Sequence, residues 1–283
     1  SAANTAMVAL TLQRVTGGRF ILGLGASGPQ VIEGLHGVPF ARPLTRMRET
    51  IEVIRMAEAG ERLSYDGEEI TLPRPGGEGK AIRLALRPDG DPLRIYLASL
   101  SPRMLELTGE VADGWLGTSF VPEGAQPSFD ALAVGAARAG RTLDDLDLCQ
   151  GAEVAFADDP GDLAGMVAAR KPGLAFSLGG MGSAETNFYN DAYARQGYAE
   201  VAAESQALWV DGRRDEAASV IPDEMVLATS LIGTEEMVGA RLRAWQAVGI
   251  DQVRLYPAGS TLEERLSTLG RALDLVADLE SRP

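Results

Sequence analysis

Short, continuously apolar runs alternate with longer stretches in which apolar residues recur at helical spacing. The runs fall at residues 20–24, 93–98, 115–118, 148–156 and 252–256. Runs of this length and character predict buried parallel strands. Between them, Met7, Val8, Leu10, Leu12 and Val15 predict a helix over 5–15, and Leu44, Met47, Ile51, Val53 and Ile54 predict one over 44–59. Pro102 suits the first turn of a helix carrying Met104, Leu105, Leu107 and Val111. Further helices are predicted near 30–35, over 128–139 and 160–176, and across 184–229 with breaks at Gly197, Gly212 and Pro222. Thr234, followed by two glutamates, opens another helix that Gly249 stops, and a last one covers 261–279.

Strands alternating with helices imply a parallel sheet. The five apolar runs fall short of the eight strands of a closed barrel. Either the sheet is open or strands that belong to it precede residue 1. Segment 62–92 breaks the rhythm: Tyr65-Asp66-Gly67 reads as a turn between short extended pieces, and 73–79 is rich in Pro and Gly. It reads as an insertion into a single domain over 1–283, long and mobile enough to serve as a lid.

The most telling stretch is Phe20–Leu24 and the glycine-dense turn after it, from Gly25 to Gly28. Glycine at a strand's carboxyl end lets the backbone approach a ligand, because no Cβ intervenes. That end of a parallel strand is where α/β folds place ligands, and a following helix N-terminus favours an anion. Gly23, Gly25 and Gly28 meet the Gly-x-Gly-x-x-Gly spacing formally. The spacing sits too early in its turn, however, and no acidic residue closes a second strand about 20 residues on, as the dinucleotide fingerprint needs.

A net charge of −14, spread along the chain, argues against nucleic-acid and anionic-membrane partners. One cysteine, Cys149, excludes an internal disulfide framework, and one histidine, His36, excludes a multi-histidine metal site. No apolar run approaches the ~20 residues of a membrane span, and the expectation is a cytoplasmic protein. His36 lies beyond the glycine turn, next to Gly37 and Pro39; it reads as a structural hydrogen-bonding residue or as a catalytic base. Trp115 reads as core.

Four stretches together carry a resemblance. They are Gly17 to Val31; Ile95 to Met104 leading to Ala112-Asp113-Gly114-Trp115; Gly179-Gly180-Met181-Gly182-Ser183 with Asn187 to Asn190; and Gly233 to Glu236 with Gly249 to Asp251. They resemble the bacterial luciferase-like family, in its coenzyme F420-dependent oxidoreductase branch, and the methylenetetrahydromethanopterin reductases in particular. The resemblance implies an α/β fold, a (β/α)8 TIM barrel with insertion segments, whose first three strands would precede residue 1. The turn after 20–24 would then lie along a flavin or deazaflavin ring, which implies cofactor roles for Gly25, Ala26, Ser27, Gly28 and Val31. The turn after the next strand would bind the cofactor phosphate, through Ala98, Ser99, Leu100, Ser101 and Arg103. Alternatively, Ser101 only caps its helix. Thr118, Gly180, Met181, Gly182 and Ser183 would touch the cofactor as well, Asn187 and Tyr189 would face the substrate, and Phe188 packs in the core.

The chain departs from some branches of the family. Gly28 and Val121 stand where its sugar-phosphate dehydrogenases carry a glutamate and a lysine. The asparagine–valine–threonine motif of certain FMN-dependent monooxygenases is absent. The implied function is hydride transfer between coenzyme F420 and a small organic substrate, by a homodimer that offers apolar helix faces near 44–56. The alternatives are an FMN-dependent luciferase-like monooxygenase and a non-catalytic partial barrel.

Overall fold

The computed structural model describes residues 1–86, 90–183 and 185–281. The chain divides into two compact units, Ser1–Trp115 with Ala131–Leu146, and Leu116–Asp130 with Asp147–Pro283.

The first unit runs α1 (Ala2–Val15), β1 (Ile21–Gly25), α2 (Pro29–Gly34), α3 (Pro43–Glu58), the two-residue strands β2 (Tyr65–Asp66) and β3 (Thr71–Leu72), β4 (Arg94–Ala98) and α4 (Pro102–Val111). It also takes the start of β5 (Gly114–Gly117) and most of α5 (Gln126–Arg138). Strands β1, β4 and β5 are parallel and adjacent in that order, with Gly25 opposite Ala98 and Leu97 opposite Trp115. Their helix-facing residues, among them Leu24, Ile95 and Leu97, pack against Ala6, Ala9 and Leu10 of α1 and Ile51 and Ile54 of α3. Helices α4 and α5 touch backbone to backbone: a Cβ on Gly109 would stand 2.0 Å from the Leu132 carbonyl oxygen.

Helix α3 corrects one expectation. Met47, Ile51, Val53 and Ile54 are buried within this unit, because the helix lies against α1 and α4. The stretch 44–56 therefore offers no exposed apolar face for a second copy. Segment 62–92 also differs from a loose lid. The buried Glu49 carboxylate accepts the backbone N–H groups of Glu68, Glu69 and Ile70 at 2.7, 3.0 and 2.7 Å. Tyr65 donates its hydroxyl to Glu52, and Arg46 pairs with Glu69 at 2.8 Å. These bonds clamp the β2–β3 hairpin to α3; residues 87–89 of the segment lie outside the described residues.

In the second unit β6 (Asp147–Phe156) lies between β7 (Leu231–Gly233) and β8 (Gln252–Pro257), both parallel to it. Between β6 and β7 come α6 (Pro160–Gly179), α7 (Phe188–Tyr193), α8 (Ala199–Val210), α9 (Arg214–Ser219) and α10 (Asp223–Ala228); α11 (Glu235–Ala247) and α12 (Leu262–Ser281) complete the chain. Leu174, Leu178, Met225 and Val226 centre the core of these helices. Strand β7 was not expected: three residues between two helices carry too little pattern to stand out. No helix among the described residues is long and apolar enough to cross a membrane.

Candidate active site

Parallel pairing of β1 with β4 sets their carboxyl ends side by side. Gly25 faces Ala98 across the ladder, and a Cβ on Gly25 would meet the Ala98 Cβ at 3.4 Å. The two turns that follow, 26–28 and 99–101, therefore start from neighbouring positions. Ser27 holds the left-handed region at φ 58°, unusual for a residue with a side chain. Gly25, Ser27 and Val31 are exposed, whereas Ala26 and Gly28 are half-buried.

The serines of the second turn have opposite roles. Ser99 is buried, and its hydroxyl lies 2.8 Å from that of Thr108, which itself donates to the Met104 carbonyl at 2.8 Å. A hydroxyl has one proton. With the proton of Thr108 committed, Ser99 must supply the other, and it keeps only lone pairs. Its hydroxyl therefore has no proton left to give a phosphate, and only its backbone N–H could serve there. Ser101 opens α4 but makes no capping hydrogen bond, so its hydroxyl is not spent on the helix. The first-turn N–H groups of a helix lack intrahelical acceptors, and Pro102 removes one of them. Arg103 is exposed and forms no ion pair among the described residues. Ser101, Arg103 and the start of α4 thus form a cationic, donor-rich corner beside the β1 turn. Trp115 is core, as expected, and it does more: its indole N–H donates to the Ser99 carbonyl at 3.0 Å.

The remaining candidates lie in the second unit. Thr118 is exposed directly after β5. The loop beyond it is held by Gln196, which accepts from Val121 N–H at 2.7 Å and donates to the Ser119 carbonyl at 2.6 Å. Gln196 reaches this loop from a turn of π-helix over 194–198. Sequence reasoning missed it, and only the glycine beside it, Gly197, marked the break. The glycines of 179–182 serve internal packing. A Cβ on Gly179 would stand 2.3 Å from Trp209, and one on Gly182 would stand 2.2 Å from the Thr186 carbonyl oxygen. Ser183 accepts from Thr186 N–H at 3.0 Å and keeps its own proton to donate. Gly180 is half-buried, and Met181 is 37% exposed.

Asn187 is 3% exposed. Its Oδ1 caps α7 by accepting from Tyr189 and Asn190 N–H, and its Nδ2 donates to the Ser177 and Leu178 carbonyls. The amide is spent inside the fold, so its geometry is that of a structural cap rather than a substrate contact. Tyr189 and Phe188 are half-buried beside it. His36 lies on the exposed loop after α2 and lines, with Gly25 and Ala26, a cavity of about 220 Å3.

The fold is that of a known class. Residues 1–252 match the family model described as luciferase-like monooxygenase. A Mycobacterium tuberculosis protein named as a coenzyme F420-dependent oxidoreductase is 40% identical over 267 residues, covering 92% of this chain and 76% of its own length. The 5,10-methylenetetrahydromethanopterin reductase of Methanolobus tindarius is 30% identical over 277 residues, covering 96% of this chain and 78% of the relative. Among solved structures, the coenzyme F420-dependent tetrahydromethanopterin reductase of Methanopyrus kandleri superposes with a TM-score of 0.74 at 23% identity, over 97% of this chain and 77% of that one. The fold is thus α/β, of the luciferase-like TIM-barrel type. The chain belongs to the luciferase-like family and is an oxidoreductase of that family.

Proposed function

We propose that this enzyme binds coenzyme F420 at the adjoining β1 and β4 turns and uses it to move hydride to or from a small organic substrate. One observation carries the reading. Ser101, uncapped and at the mouth of α4, stands with exposed Arg103 beside a glycine-walled strand end, and this donor set fits a phosphate joined to a flat ring. Two relatives with F420 in their names or their reaction support the same choice.

In this reading the Ser101 hydroxyl and the first N–H groups of α4 hold the phosphate, and Arg103 neutralises its charge. Gly25, Ala26 and Ser27 border the ring, with Gly28 and Val31 continuing that wall. Ala98 and Leu100 contribute backbone, and Trp115 and Thr108 keep Ser99 and its turn in place. The resemblance also implies cofactor roles for Thr118, Gly180, Met181, Gly182 and Ser183, and a substrate role for Tyr189. When bound, coenzyme F420 supplies the hydride donor or acceptor. The protein orients the ring, shields it from water and places one proton donor.

The family's description as luciferase-like monooxygenase keeps oxygenation as the second reading, with FMN as its cofactor. Titration of the full chain with F420 and with FMN, followed by fluorescence, separates the two. Saturable F420 binding that weakens in Ser101→Ala supports the proposal; FMN binding without F420 binding overturns it.

A further inference from the structure

The cavity beside the β1 turn lies wholly within the first unit, between the end of β1, the loop 35–42 and the first half of α3. Leu24, Ile32, Val38, Phe40, Pro43 and Met47 supply apolar walls. Gly25 and Ala26 form the side shared with the ring-bordering turn, and His36 and Thr50 bring polar side chains to the lining. Arg46 also reaches the wall, but its charge is met by Glu69 at 2.8 Å, and the neighbouring Arg42 pairs with Glu68 at 2.7 Å. Among the described residues no unpaired arginine or lysine lines the cavity to hold an anion, and the net charge of −14 disfavours one further.

Size narrows the occupant. At about 220 Å3 the cavity exceeds the roughly 150 Å3 of one that takes benzene, and falls below the ~300 Å3 at which drug-sized sites begin. It suits a molecule of one ring. Val38 is 40% exposed and His36 lies in the same exposed loop, so entry requires no opening of the core.

We propose that this cavity binds a small, uncharged, mostly apolar molecule with a single hydrogen-bonding group, which His36 contacts. That this molecule is the substrate rests on the cofactor reading above; that the cavity binds it does not. An imidazole can donate to a carbonyl oxygen or accept from a hydroxyl, so the class covers cyclic ketones and alcohols. Placement against Gly25 and Ala26 sets the ligand next to the ring-bordering turn without occupying it.

His36 is the only histidine in the chain, so its imidazole proton resonances need no assignment. The test titrates the full chain with cyclohexanone and, as the charged counterpart, cyclohexanecarboxylate, with and without saturating F420. A saturable shift of the His36 signals is expected with the ketone, persisting in the presence of F420, and the carboxylate binds at least about tenfold more weakly. Val38→Trp and Ala41→Trp, both at exposed positions lining the cavity, are each expected to weaken the ketone about tenfold while F420 affinity stays within about twofold. No saturable shift, equal binding of the carboxylate, or displacement of the ketone by F420 overturns the assignment. Loss of F420 binding with the ketone shift intact removes the cofactor reading and supports the pocket.

Discussion

The indole N–H of Trp115 donates to the carbonyl oxygen of Ser99 at 3.0 Å, so a core side chain on β5 fixes the turn that ends β4. Buried hydrogen bonds of this kind contribute about 1 kcal/mol, and their loss leaves the carbonyl unsatisfied. Trp115→Phe keeps most of the ring and removes the donor. It is expected to lower unfolding free energy by about 1–3 kcal/mol and to weaken F420, as read by denaturant titration and fluorescence binding together.

The two serines of that turn are expected to separate cleanly. Ser101→Ala removes a hydroxyl that makes no capping bond to its helix. Thermal stability should hold while F420 affinity falls about tenfold, the scale of a hydrogen bond to a charged group. Ser99→Ala should do the reverse, since its proton goes to Thr108. Calorimetric binding and thermal melts on both variants check the pair.

Glu49 joins α3 to the β2–β3 hairpin through three backbone N–H groups. Glu49→Ala strands those donors, and a loss of about 2–4 kcal/mol is expected. Limited proteolysis should then cut between 62 and 86 well before the rest of the first unit.

Burial pushes the Tyr193 hydroxyl up to about 12, and Ser119 opposes that only in part. A raised folded pKa means stability that is complete below the unfolded value of 10.0 and is lost as pH rises through about 12. Tyr193→Phe is expected to flatten the alkaline limb of the stability profile between those limits, as followed by denaturant midpoints against pH.

Several parts of this site were legible from pattern alone. The run before Gly25 and the run before Ser99 are short, apolar and followed by small residues, and the structure pairs them in parallel with Gly25 against Ala98. What pattern could not carry was the destination of each polar group. Ser99 and Ser101 look alike in sequence, yet Thr108, nine residues on in the next helix, takes the proton of one and not the other. Asn187 invited a ligand role because nothing local revealed that Ser177 and Leu178 accept its amide. Strand β7 escaped because Leu231–Gly233 gains its partners only from β6, far away in the chain. Apolar residues of α3 suggested an open face for the opposite reason: helical spacing reports a stripe and not what covers it.

The most direct measurement is amide hydrogen exchange of the full chain with increasing F420. The account predicts that segments 25–31 and 99–104 gain protection together, along one saturation curve, with FMN giving none at matched concentration. Protection confined to one of the two turns, or produced by FMN and not by F420, contradicts it.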